Sequence, residues 1–326
     1  MSDAFTMPVE RWSGSVLEVE IGATPDRGGT RARTVKVGGA KTLPFLRYEG
    51  DPGNPSVLAF EVLDRPRESW APALEEVYGD VKTDPAAWAQ RCEREFGAEM
   101  ICLRFEGANP DDLDRSPADC AALAKAVAAS VTVPLVLWGC GNADKDNNLW
   151  PELSQALAGE RCILASATQD NYRTIAACAL ADKHIVLTEA PLDINIQKQV
   201  NILVTEMGIK AQDMVMYQTT GALGYGIEYA YSIYERSRLA ALDGDAMLRF
   251  PMVSMVGAEA WKAKEASASA EDVPEWGDLT RRGVLWEAAT ASLLLQGGTD
   301  IVIMWHPEAA RLVRATLAEL TAAAGA

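Results

Sequence analysis

The sequence predicts an α/β fold: a (β/α)8 TIM barrel over residues 56–326, carrying an N-terminal β-hairpin extension over residues 1–55. Eight short apolar runs recur along the chain, each followed by a segment long enough for a helix, which is the pattern of repeated βα units. The runs are mostly continuous rather than alternating, as parallel strands covered on both faces require. Eight units in about 270 residues fit the barrel's usual size of roughly 250. A doubly wound sheet is the alternative, but it is weakened because no Gly-x-Gly-x-x-Gly follows the first run.

In the extension, residues 16–21 and 34–37 alternate apolar and polar side chains across a Gly28-Gly29 turn, which reads as a hairpin. The turn-rich Asp51-Pro52-Gly53-Asn54-Pro55 marks the boundary. The strands then fall at residues 57–62, 100–105, 133–138, 162–167, 185–188, 214–217, 252–255 and 301–305.

Two of the helices show their register. Asp193 can cap one in which Ile196, Val200, Leu203, Val204 and Met207 form an apolar stripe, with Lys198, Asn201 and Thr205 opposite and Gly208 at the end. In the last helix Leu312, Val313, Leu317 and Leu320 form the stripe, while Arg311 and Arg314 are expected to face water. A third helix is expected from about 227 to 242, stopped by Gly244. Before it, Gly221, Gly224 and Gly226 make a strand–glycine loop–helix unit, where α/β proteins place ligands. The spacing is not that of a nucleotide phosphate loop. The longest loop runs from Gly257 to about Leu279, a length commonly functional in a compact domain.

Composition narrows the class. With 326 residues, 48% hydrophobic and 23% charged, the chain reads as a soluble globular protein. A net charge of −16 argues against nucleic acid or an anionic membrane surface as partner. The start, MSDAFTMPVE, shows no basic segment followed by an apolar run, so the cytoplasm is the expected location. Cys92, Cys102, Cys120, Cys140, Cys162 and Cys178 form no Cys-x-x-Cys, so neither an iron–sulfur cluster nor structural zinc is expected in this chain.

The active face of such a barrel is built from loops after the strands' C-terminal ends. There the sequence places Glu61, Asp64, Glu106, Gly139, Gly141, Asn142, Thr168, Asp170, Asn171, Glu189, Thr219, Thr220, Glu259, Trp261 and His306. No strand carries a lysine, which excludes a Schiff-base aldolase. Two histidines, His184 and His306, are too few for a His-rich metal site. His306 at a helix start suits a structural hydrogen bond better than acid–base work. Asn142, Asp170 and Asn171 could read a pterin ring by its donor and acceptor edge, but Asp170-Asn171 is better suited to capping a helix that begins at Tyr172.

Several longer stretches bear a family resemblance: GALGYGIEYAYSIYERSRLAALDGD from 221, GAEAWKAKEA from 257, PLDINIQKQVN from 191, Trp276-Gly277, RGVLWEA from 282, HPEA from 306, and the N-terminal GGTR from 28 and VGG from 37. Together they resemble, nearly end to end, the small subunit of the corrinoid iron–sulfur protein, the family of the acetyl-CoA decarbonylase/synthase delta subunit. The resemblance implies a barrel paired with a large subunit that carries the iron–sulfur cluster and the corrinoid domain. The cobamide would be held between that domain and the top of this barrel. The complex would carry a methyl group from methyltetrahydrofolate methyltransferase to acetyl-CoA synthase.

On that resemblance Thr219, Thr220, Gly221, Ala222, Gly224, Asn142, Thr168, Glu189, Gly257 and His306 are expected at the cofactor, with no catalytic residue and no metal ligand from this chain. The chain departs from the family at Tyr217-Gln218, Glu189-Ala190 and Trp305, which changes the charge of the top face. A top of small residues with few titratable groups would cap a flat macrocycle. Two other readings stay open: a pterin-dependent methyltransferase barrel using Asn142 and Asp170, and a purely structural subunit.

Overall fold

A computed structural model describes residues 8–67 and 70–323. Strands β1 (Glu18–Ile21) and β2 (Val35–Gly38) pair antiparallel as the expected hairpin. Eight parallel strands then close into a barrel in chain order: β3 (Val57–Leu63), β4 (Met100–Arg104), β5 (Leu135–Trp138), β6 (Ile163–Ala167), β7 (Ile185–Ala190), β8 (Met214–Gln218), β9 (Met252–Met255) and β10 (Ile301–Met304), with β10 closing against β3.

Helices cover the outside: α1 (Pro72–Tyr78), α2 (Pro85–Arg94), α3 (Pro117–Ser130), α4 (Ala143–Ala156), α5 (Tyr172–Asp182), α6 (Ile194–Glu206), α7 (Ile227–Leu242), α8 (Val256–Ala260), α9 (Lys264–Ser267), α10 (Leu279–Gln296) and α11 (Pro307–Ala323). Their starts follow capping chemistry. Ser116, Asn142, Asp193 and Asp278 each accept a backbone N–H one turn into the helix they precede. Among the described residues no helix is long and apolar enough to cross a membrane.

The hairpin lies across the lower end of the barrel, where the strands begin. Leu17 N–H reaches the Arg249 carbonyl at 2.7 Å and Gly22 N–H the Arg161 carbonyl at 3.0 Å. Val19, Ile21 and Val37 join the barrel's own buried core. Arg31 anchors the ribbon from within, its buried guanidinium bonding Glu160 at 2.9 Å and the carbonyls of Ala128 and Val131. His184, just below β7, is also structural: its Nδ1 accepts the Cys162 N–H at 3.1 Å, and burial holds its pKa down.

Four sequence expectations need correction. Asn201 does not face water. It is buried, accepting from Thr188 at 2.5 Å and from Gln197 at 3.0 Å and donating to the Met247 carbonyl at 2.7 Å. Arg314 is half-buried, because its guanidinium bonds the carbonyls of Phe96 and Gly97 at 3.0 and 2.8 Å. The stretch from Gly257 to Leu279 is not an open loop, since α8, α9 and the single turn Pro274–Trp276 fold within it. Trp261, expected in that loop, is buried over Gly283, where a Cβ would come within 2.4 Å of the indole.

Candidate functional site at the mouth of the barrel

At the C-terminal ends of the strands the mouth is lined with charge, contrary to the expectation of few titratable groups. Successive side chains of a strand alternate faces, so Met100, Cys102 and Arg104 share one face of β4, and Cys102 pairs in register with Glu61 of β3. Glu61 is fully enclosed; it accepts the indole N–H of Trp305 and lies 3.4 Å from the Arg104 guanidinium. Burial pushes its carboxyl up, against the pull of Arg104 and Trp305. Burial works against the charge on Arg104 too, but Glu61 and Glu106 outweigh it and hold that guanidinium firmly protonated.

The next pair is Arg67 with Glu106, joined by two hydrogen bonds. Arg67 also stacks its guanidinium 4.6 Å above the Trp305 ring, a cation–π contact. Burial would raise Glu106, but Arg67, Arg104 and Arg65 win and keep it low. An open cleft beside this pair is lined by Arg65, Arg67, Glu106, Asn109, Asp112 and Lys262.

Across the mouth, Glu189 of β7 accepts the Ser166 hydroxyl and is pushed up by burial. Asp146 of α4 turns back under the end of β5, accepting N–H from Cys140 at 2.8 Å and Gly141 at 3.0 Å. Gly139 makes room for it, since a Cβ there would sit 2.6 Å from the carboxylate. Tyr217 stands edge-on to Trp138 at 5.1 Å, and its oxygen accepts the Thr220 N–H at 3.2 Å.

The glycine loop is anchored on α10. Thr290 accepts the Leu223 N–H at 3.2 Å, and Trp286 donates to the Leu223 carbonyl at 2.8 Å. Gly221 closes the turn; a Cβ there would lie 2.5 Å from the Gly226 carbonyl oxygen. Gly224 has φ +74, with Trp286 3.3 Å from a Cβ position, so any larger residue is strained there for local reasons. Thr219 and Gly224 are exposed. Thr220 and Ala222 are buried, Thr220 tying β8 to β9 by accepting the Met255 N–H at 2.9 Å.

The remaining predicted residues are scattered around the rim. Asn142 caps α4, accepting Lys145 N–H at 3.0 Å. Thr168 and Asn171 bond each other, while the Asn171 amide turns back to the Ser166 carbonyl at 3.0 Å instead of capping α5. Asp170 is exposed. Gly257 is buried against the Trp305 ring, 2.5 Å from a would-be Cβ. His306 is buried and stacked on Trp261 at 5.9 Å; its Nδ1 accepts the Glu308 N–H, and burial lowers it to about 4. Among the described residues no group of three or more His, Cys, Asp or Glu could hold a metal ion.

Sequence inspection missed Arg67, Arg104, Asp146 and Glu287. For Arg104 the signal was present, a charged residue ending an apolar strand on the inward parity. Glu287 sits mid-helix on α10 and shows no such sign.

Comparisons with known proteins bear on the family and the fold. Residues 18–315 match the family described as CO dehydrogenase/acetyl-CoA synthase delta subunit. The acetyl-CoA decarbonylase/synthase complex subunit delta of Methanothermobacter thermautotrophicus is 39% identical over 314 residues, covering 96% of this chain and 78% of the relative. That of Archaeoglobus fulgidus is 37% identical over 312 residues, 94% of this chain and 68% of the relative. Among solved structures, dihydropteroate synthase from Xanthomonas albilineans with 4-aminobenzoic acid superimposes with a TM-score of 0.56 at 13% identity, over 82% of this chain and 93% of that one. The Coxiella burnetii dihydropteroate synthase complex with pteroic acid gives 0.54 at 13% identity, over 87% and 99%. At that identity the likeness is of fold alone. By sequence across nearly its whole length, the chain belongs to the CO dehydrogenase/acetyl-CoA synthase delta subunit family.

Proposed function

We propose that this chain is the small subunit of a corrinoid iron–sulfur methyl carrier, and that the mouth of its barrel caps a cobamide held by the large subunit. The complex carries a methyl group from methyltetrahydrofolate methyltransferase to acetyl-CoA synthase in the cytoplasm. One observation carries the reading: the ionisable side chains at the mouth are engaged with their own neighbours. Glu61 is held by Arg104 and Trp305, Glu106 by Arg67, Glu189 by Ser166, and Asp146 by backbone N–H groups. Groups held in this way make a surface to lie against rather than a set of free acids and bases.

The residues fit a corrin ring, whose edge carries amide arms that need donors and acceptors. Thr219 is exposed, its hydroxyl donating to the Ala190 carbonyl at 3.3 Å and able to accept, and Gly141 and Gly224 are exposed without side chains. The Arg104 Nε is buried with no hydrogen-bond partner among the described residues. Thr219, Gly224 and Gly141 would hold the ring's edge, and the buried, stacked His306 offers no imidazole to the metal. Bound there, the corrinoid supplies a cobalt centre able to accept and release a methyl group; this chain's part is to bind it and exclude water.

Tyr225, Tyr229 and Trp276 stand exposed, Tyr225 and Tyr229 at 60% and 66%. Exposed aromatics of this kind suit a protein interface. Sedimentation of the chain co-expressed with the large subunit is expected to give a stable heterodimer. Two species that sediment independently would contradict the proposal.

A further inference from the structure

The end of the barrel remote from the mouth holds a second pocket, between the N-terminal extension and the outer helices. Ser56 and Asp300, which directly precede β3 and β10, lie in its floor. Its volume of about 330 Å³ falls within the range of small-molecule sites. The walls are largely apolar: Pro44 and Phe45 from the extension, Leu295 from α10, and Leu317 and Ala318 from α11. Phe45 is held at φ 65, a conformation that side-chain-bearing residues rarely adopt.

Two polar side chains in the lining are buried and incompletely satisfied. Thr299 is 2% exposed and its hydroxyl has no hydrogen-bond partner among the described residues; the same is true of Nε of Arg238, which is 4% exposed. Buried polar groups are ordinarily hydrogen-bonded, so each unpaired one calls for an explanation. The charge in the pocket is already balanced. Asp300 pairs with Arg238 at 3.0 Å and accepts the Met252 N–H at 2.8 Å, while Arg47, at the entrance, is exposed to solvent.

We propose that this pocket binds a small, uncharged, ring-sized molecule bearing one hydrogen-bond acceptor, its apolar body against Phe45, Leu295 and Leu317 and its acceptor toward Thr299 and Arg238. A charged ligand would leave water for a site in which Arg238 and Asp300, the buried ions among the described lining residues, already neutralise each other, and its desolvation would go uncompensated. The site is at the opposite end of the barrel from the mouth, so it stands or falls independently of the corrinoid reading.

The test is fluorine NMR of the full chain with 4-fluoroacetophenone, compared with 1-ethyl-4-fluorobenzene and 4-fluorobenzoate. The ketone is expected to bind saturably, and the ethyl compound about fivefold more weakly, the weight of one hydrogen bond. The benzoate is expected to bind more weakly than the ketone. Leu317→Trp and, at an exposed position that leaves folding intact, Ala318→Phe should each fill the space and weaken the ketone; Thr299→Val should weaken the ketone but not the ethyl compound. Absence of saturable binding by the parent chain would overturn the proposal. So would ketone affinity unchanged in Ala318→Phe, an ethyl compound as tight as the ketone, or a benzoate tighter than the ketone.

Discussion

The carboxylate of Glu287, buried within α10, accepts the indole N–H of Trp261 at 2.8 Å. The same carboxylate accepts the backbone N–H of Trp305 at 2.5 Å and of His306 at 3.0 Å, and so caps the start of α11. One side chain thereby joins α8, α10 and the end of β10 beside the mouth. A carboxylate at a helix N-terminus is favoured by the unpaired N–H groups there.

Burial nevertheless raises Glu287 from 4.5 to about 7, the three N–H donors opposing it. A carboxyl whose folded pKa lies above its unfolded value binds the extra proton in the folded state. Its contribution is present in full below the unfolded value, and stability falls as pH rises from about 4.5 to 7. Between pH 5.5 and 7.5 this group alone is expected to cost about 2 kcal/mol. Urea unfolding at the two pH values checks it: Glu287→Gln should be less stable overall but should lose that part of the slope.

The buried Thr188–Gln197–Asn201 cluster should respond as a unit. Asn201→Leu takes the amide donor from the Met247 carbonyl and the shared acceptor from Thr188 and Gln197, and is expected to cost on the order of 2 kcal/mol. Chemical denaturation measures this, and Thr188→Val in the same chain should add less than it costs alone, because the two share one network.

Arg104 and Glu61 should be coupled as well. Arg104→Met leaves a buried carboxyl beside Trp305 without its cation, and is expected to destabilise by about 3 kcal/mol. Adding Glu61→Gln should return part of that loss, as a double-mutant cycle would show.

Gly221 and Gly141 separate two uses of glycine. At Gly221 a Cβ would meet backbone at 2.5 Å, whereas at Gly141, with φ +86, there is open space. Gly221→Ala should therefore cost about 2 kcal/mol or more, and Gly141→Ala only the roughly 1 kcal/mol of its backbone conformation. Thermal unfolding of the two variants tests the difference.

The barrel was legible because its strands are buried on both faces, which leaves continuous runs such as Leu135–Trp138 and Ile301–Met304 with no polar interruption. Helix faces were less so. The α6 stripe was read by hydrophobicity, yet Gln197 and Asn201 are buried through hydrogen bonds that no apolar pattern reports. Arg314 was placed in water because it is charged, while its carbonyl partners Phe96 and Gly97 lie over two hundred residues earlier. The glycine loop was found at the right place, but what fixes it, Trp286 and Thr290, belongs to another helix. The charged mouth depends on pairs such as Arg67 with Glu106 that only the closed barrel brings together.

The capping role is tested most directly at Thr219, which is exposed at the end of β8 and free of the backbone strain that complicates Gly224. The proposed heterodimer with a large corrinoid subunit, passed through gel filtration, is read by its corrinoid absorption per protein. Thr219→Trp should leave the melting temperature and the heterodimer unchanged and lower corrinoid retention severalfold. Full retention by that variant, together with full retention by the large subunit alone, would contradict the account.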